Sequence, residues 1–208
     1  MNRISTTAHQ VVDSDMKVLS DWKGVRGIDR SNETSRQSSN QSYIWKKPQA
    51  PALKCNVDAT LQNDRRNTGL RMVLRDCTGS FISARINALP GLVEIKEAEA
   101  MSFKEALSWV EDMDLQEIIF ESDSKVVIDA VNSLRKDDSE FGALISACRV
   151  ILRQRPSYKV CFTRRQANKV AHNLARLSCF HAHPMIWNLP PDLIIDVLHE
   201  DCNDSYSQ

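Results

Sequence analysis

The chain has 208 residues, 42% of them hydrophobic, with 27 Lys plus Arg against 27 Asp plus Glu, six Gly and seven Pro. A chain of this make-up reads as one globular domain with tails, and at this size it buries roughly two-thirds of its unfolded surface without a disulfide framework or a structural metal. The six cysteines, at 55, 77, 148, 161, 179 and 202, include no C-x-x-C pair and read as small core hydrophobes or incidental thiols in a reducing compartment. No stretch approaches the roughly 18 uncharged apolar residues of a membrane span. Arg3, Asp13, Asp15 and Lys17 interrupt any secretory apolar segment, so the expectation is a soluble, intracellular monomer with no membrane partner.

The first 42 residues show weak periodicity and end in Ser31–Ser42, a run without an apolar residue that reads as a disordered arm. Order begins at Tyr43-Ile-Trp45, and Pro48 and Pro51 hold the approach extended. In Lys54–Ala59, Cys55, Val57 and Ala59 alternate with Lys54, Asn56 and Asp58, which predicts a strand ending in an acid. A polar loop over 62–68 leads to a second strand at Leu70–Leu74. Asp76-Cys-Thr-Gly79 then supplies a turn with Gly at its left-handed position, and Phe81–Ala88 returns as a third strand.

Beyond Pro90-Gly91 the period becomes helical. A helix over Glu94–Met113 carries the stripe Phe103, Ala106, Leu107 and Val110. A buried strand follows at Glu117–Phe120. Ser122-Asp-Ser124 caps a helix with Val127, Ala130, Val131 and Leu134 on its apolar face. Another amphipathic helix presents Leu144, Ile145, Cys148, Ile151 and Leu152 and stops before Pro156; Tyr158–Phe162 is a last strand and Ala167–Leu177 a last helix. The order β-β-β-α-β-α-α-β-α implies an α/β fold: a mixed five-stranded sheet of three antiparallel meander strands and two helix-linked strands, flanked by helices. Trp187–Pro191 reads as a loop, and Leu193–Leu198 as a short docking helix in a tail over 181–208.

The neutral total, which by itself argues against a nucleic-acid partner, conceals a strong asymmetry. Residues 94–140 carry 14 acids against 5 bases, whereas 141–191 carry 8 bases and no acid. That acid-free block, with Arg149, Arg153, Arg155, Lys159, Arg164, Arg165, Lys169 and Arg176, invites a polyanion; from charge alone, solvated helix faces explain it as well.

Three acids occupy unusual places. Asp58 closes the first strand, Asp123 follows the fourth, and Glu99 lies at i, i+4, i+7 and i+11 with Phe103, Ala106 and Val110, on the stripe that should face the sheet. If strands one and four are neighbours, the three converge, and an all-oxygen cluster suits Mg²⁺ or Mn²⁺. Taken singly, Asp123 reads equally as a helix cap, Asp58 as a turn residue and Glu99 as a helix-edge acid. Cys179, His181 and His183 have no familiar zinc spacing and read as packing residues.

The blocks Trp45–Pro48, Lys54–Asp58, Val73–Gly79, Ala98–Ala100, Glu121–Ser124 and Arg165–Ala175 together resemble the type 1 ribonuclease H family, and more narrowly the reverse-transcriptase-like, retroelement-related domains common in plant genomes. The resemblance spans about Trp45–Phe180, within a domain expected over 43–180. It implies a ribonuclease H-like fold that hydrolyses the RNA strand of an RNA–DNA hybrid with Mg²⁺, or Mn²⁺. Asp58, Glu99 and Asp123 would be the metal ligands and His172 would stand at the place of a fourth acid. Arg149, Arg153, Arg164, Arg165, Asn168 and Lys169 would face the nucleic acid. Imidazole is a poor ligand for Mg²⁺, Thr163–Gln166 lacks the His often found in that loop, and Ala59 stands where Gly frequently follows the first Asp. These departures motivate a second expectation, a retroelement-derived binding module that kept the fold and lost the chemistry.

Overall fold

The computed structural model describes residues 43–62, 66–174 and 184–204. The Ser31–Ser42 arm, the Cys179–His183 cluster and the expected end of the last helix at 175–177 lie outside them.

The sheet has six strands in the order β5-β4-β1-β2-β3-β6. These are β1 Leu53–Gln62, β2 Asn67–Arg75, β3 Phe81–Pro90, β4 Ile118–Ser122, β5 Lys159–Phe162 and β6 Met185–Trp187. The helices are α1 Ile95–Asp112, α2 Lys125–Asn132, α3 Glu140–Gln154, α4 Lys169–Asn173 and α5 Asp192–Asp204. As expected, β1, β2 and β3 form the antiparallel meander and the helix-linked β4 and β5 add in parallel. None of these helices is long and apolar enough to cross a membrane.

Four expectations are corrected. The sheet has six strands, because Met185–Trp187, whose last residue is expected to open a loop, pairs antiparallel with Ala84–Ile86. Three residues are too few to display a period. Asp58 does not end β1: Thr60, Leu61 and Gln62 continue the ladder against Gly69, Thr68 and Asn67. Leu134 lies outside α2 and is 94% exposed, since Ser133 turns extended and carries the chain away before the stripe is complete. The docking helix runs on to Asp204 because its inward stripe of Ile194, Val197 and Leu198 is continued by a buried acid, Asp201, which a search for apolar residues passes over.

Each face of the sheet has its own cover. Phe103, Ala106, Leu107 and Val110 of α1 are fully buried, and Phe103 packs at 5.9 Å on Phe120, which sits beside Cys55 in the β1–β4 register. On the opposite face, Val170 and Leu174 from the α4 end of the chain and Ile194, Val197 and Leu198 of α5 form a second core with Val73, Ala84 and Ile86. That second face is also the one bearing Lys54, Asn56 and Asp58 of β1, all buried. The polar half of the β1 alternation therefore faces a helical layer and not water.

The β2–β3 turn ties the meander to the last helix. Asp76 Oδ1 accepts from the backbone N–H groups of Thr78 at 2.8 Å and Ser80 at 2.9 Å, and Gly79 has φ +89°. A Cβ on Gly79 would lie 2.8 Å from Cys202 Sγ and 3.1 Å from Lys47 Cε. Gly79→Ala should therefore lower stability by about 1–3 kcal/mol, read as a reduced urea midpoint at unchanged m-value.

Candidate functional site

Because β1 and β4 run parallel with Val57 opposite Ser122, the next residues, Asp58 and Asp123, are lateral neighbours. Asp123 precedes the N-cap Ser124 and does not cap α2; its Oδ1 accepts from Asn168 Nδ2 at 3.1 Å. Glu99 arrives on α1 from above. That helix is fixed to both strands by Ser102, whose Oγ donates to Asp58 O at 2.7 Å and accepts from Arg71 N at 3.1 Å. Burial first, then the charges of Asp58 and Asp123, pushes the Glu99 carboxyl up to about 9. Glu99 Oε2 is buried with no hydrogen-bond partner among the described residues. Asp123 thus acts on both Asp58 and Glu99, and Asp58 on Glu99, so the fold brings the three sequence-predicted acids near one another.

The residue that sequence reasoning missed is Arg71. It stands directly opposite Asp58 in the β1–β2 register, and Nη1 donates to Asp58 Oδ2 at 2.9 Å with side-chain exposures of 0% and 2%. His172 Nδ1 reaches the same oxygen at 3.4 Å. Burial raises the Asp58 carboxyl, and the Arg71 guanidinium is the largest influence opposing it. A faint signal existed: Arg71 is the one charged residue inside Leu70–Leu74. Its partner could not be known without the hairpin register.

The donor set has the oxygen chemistry of a hard divalent cation, but its arrangement does not fit one. The inward oxygen of Asp58 already contacts a guanidinium and an imidazole, and a divalent ion beside it would meet a buried positive charge. Among the described residues, no group of three or more His, Cys, Asp and Glu side chains is placed to hold a metal ion.

Behind the cleft, a chain of buried polar contacts runs to α5. Asn168 Nδ2 donates also to Val57 O at 2.9 Å, and Asn168 Oδ1 accepts from Asn56 Nδ2 at 3.1 Å. Asn56 Oδ1 accepts from Arg75 Nη2 at 2.7 Å, and Arg75 Nη1 pairs with Asp201 Oδ2 at 2.7 Å. The Arg75 guanidinium also stacks 3.4 Å from the centroid of the buried Trp45 ring. Lys54 and Glu121 close the far side at 2.6 Å.

The predicted basic residues divide. Arg165 and His172 lie beside the acids with 64% and 44% side-chain exposure: Arg165 Nη1 is 3.9 Å from Asp123 Oδ2, and its Nη2 is 3.2 Å from the His172 ring nitrogens; Lys169, 51% exposed, pairs instead with Glu200 of α5 at 3.6 Å. Arg164 is half-buried and stacks over the Tyr43 ring at 4.5 Å. Asn168 is fully buried and belongs to the internal network. Arg149 donates to Ala130 O at 2.6 Å, Arg135 O at 3.0 Å and Val131 O at 3.4 Å, so it closes the C-terminal end of α2. Arg153 is exposed on α3, one turn beyond Arg149.

A family model described as reverse transcriptase-like matches residues 56–178, a segment containing Asp58, Arg71, Glu99, Asp123 and His172. The chain belongs to the reverse transcriptase-like family. No curated protein matches it significantly. Solved structures share the ribonuclease H fold of this reverse transcriptase-like chain. RNase H1 from the halophilic archaeon Halobacterium salinarum aligns with TM-score 0.54 and 16% identity over 61% of this chain and 98% of that one. The N-terminal RNase H domain of rv2228c from Mycobacterium tuberculosis gives 0.54 and 17% over 61% and 92%. LC11-RNase H1 in complex with an RNA/DNA hybrid gives 0.52 and 16% over 59% and 92%.

Two outcomes test the site. The folded chain keeps a proton on Glu99 that the unfolded chain releases above its ordinary value of 4.5, so the stability this proton confers is full at low pH and is lost as pH rises through about 9. Glu99→Gln, neutral at every pH, should gain melting temperature over the wild type progressively between about pH 5 and pH 9. Asp201→Ala leaves the Arg75 charge buried and should lower the unfolding free energy by about 3–5 kcal/mol, whereas Asp129→Ala, which breaks the exposed pair with Lys125, should cost under about 0.5 kcal/mol by the same denaturant titration.

Proposed function

We propose that this chain is a ribonuclease H-type domain that binds RNA–DNA hybrid across the cleft and does not cut it. The observation that carries the reading is the Arg71–Asp58 pair, a fixed protein cation at the innermost carboxylate. Nucleic-acid binding is supported by family membership, by a neighbour of the same fold titled as a complex with an RNA/DNA hybrid, by the exposed cation Arg165 beside Asp123, and by the exposed Lys169 at the start of α4. Arg165 and Lys169 supply phosphate contacts, and Arg164, held against Tyr43, orients the segment that presents them. Hybrid recognition then rests on 2′-hydroxyl and phosphate contacts in a minor groove wider than that of DNA.

A second reading, hydrolysis of the RNA strand with Mg²⁺ or Mn²⁺, is favoured by the repulsion that Asp123 exerts on Asp58 and that both exert on Glu99, since crowded carboxylates are what a divalent cation relieves. Asp58, Glu99 and Asp123 would hold that ion only if the Arg71–Asp58 pair gave way to it, with His172 beside them.

Fluorescence anisotropy on a labelled hybrid and a gel assay of the same hybrid separate the two. The first reading expects salt-sensitive binding that weakens similarly on every sequence in Arg165→Ala and Lys169→Ala, each reducing the log–log salt slope by roughly one. It expects intact RNA with either metal. RNA cleavage that disappears in Asp123→Asn establishes the second reading and removes the first, and absence of salt-sensitive hybrid binding removes both.

A further inference from the structure

Arg71 has no part in grasping nucleic acid: its side chain is fully buried, on the sheet face it shares with Asp58. We propose that the Arg71 guanidinium is a built-in counter-cation that takes the place of a divalent ion at Asp58, so that the carboxylate cluster assembles without metal and a divalent site lies latent in this chain.

Several observations converge on this. The pairing is set by the backbone, because Asp58 and Arg71 are cross-strand partners in the β1–β2 ladder. The helix above holds the same two residues, since Ser102 Oγ bonds to Asp58 O and to Arg71 N. Register and helix thus hold the two residues side by side, and full burial keeps the guanidinium against Asp58. Arginine also stays charged at any pH the fold tolerates, so the cation at this position is permanent. A buried carboxylate needs a counter-charge, and either a divalent ion or a guanidinium can supply it; the two repel when placed together in a poorly polarisable interior. Asp58 Oδ2, facing Arg71 at 2.9 Å, is the atom at which that exclusion acts.

The inference extends the non-cutting reading of the cleft, yet its test contains no nucleic acid. Free Mn²⁺ is titrated by electron paramagnetic resonance against the full chain, against Arg71→Ala and against the double variant Asp58→Asn/Arg71→Met, in which both charges are removed together and the fold keeps its volume. Melting curves are recorded for each with Mn²⁺, with Mg²⁺ and with KCl at equal ionic strength. Wild type and the double variant should share the same weak background. Arg71→Ala should bind Mn²⁺ roughly tenfold or more tightly than wild type and should gain a thermal stabilisation from Mn²⁺ that KCl does not reproduce.

Wild-type Mn²⁺ binding that the double variant abolishes overturns the proposal, and so does a folded Arg71→Ala that shows background binding alone. If Arg71→Ala does not fold, wild type against the double variant decides: equal background sustains the proposal and Asp58-dependent binding ends it. Failure of hybrid binding leaves this result standing, and Asp58-dependent Mn²⁺ binding overturns it even where hybrid binding holds.

Discussion

Asp58 and Arg71 face each other on adjacent hydrogen-bonded strands, 2.9 Å apart and almost wholly out of water. Removing two such ions from water costs several kcal/mol each, and only close pairing with further hydrogen bonds offsets it. The fold supplies both. Ladder register places the charges opposite one another, and Ser102 holds their backbones from α1. The pair in turn fixes what the cleft can accept, because Glu99 and Asp123 approach a carboxylate whose inner oxygen is already compensated. Glu99 is left to carry the burden of burial, and it does so by holding a proton.

The same sheet face continues as a polar layer under α4 and α5. Asp123, Asn168, Asn56, Arg75 and Asp201 form one connected line of contacts from the cleft to the last helix. Such a layer is tolerable only when its members are paired, since a buried polar group left alone costs more than the bond it would have made. The C-terminal helix is therefore part of the support beneath the cleft: its apolar stripe closes the second core while Asp201 neutralises Arg75. Trp45, stacked on the same guanidinium, joins the N-terminal approach to that line.

The charge asymmetry along the chain resolves into several uses. Some of the basic block stays inside the structure: Arg149 closes α2, and Arg155 pairs with Glu111 and Asp114. Some of it faces out, Arg165 beside Asp123 and Lys169 against Glu200 of α5. Net charge by segment identified where opposed charges would gather but could not say which cations were structural, because that depends on the carbonyls and carboxylates brought near them by packing.

Period and turn chemistry in the sequence determined the meander, the α1 stripe, the Gly79 turn and the succession of β4, α2, α3 and β5, since these are local and each residue's face follows from its spacing. The approach of Asp58 to Asp123 was also legible, conditional on β1 and β4 pairing. Three things were decided by tertiary structure alone. The three-residue β6 is too short to carry a signal and exists because β3 offers it an edge. The polar face of β1 is buried because Asn168 and Asp201, from the chain around α4 and α5, supply partners to its polar layer. Antiparallel register made Arg71 the cation of Asp58, a relation between residues thirteen apart that no local pattern encodes.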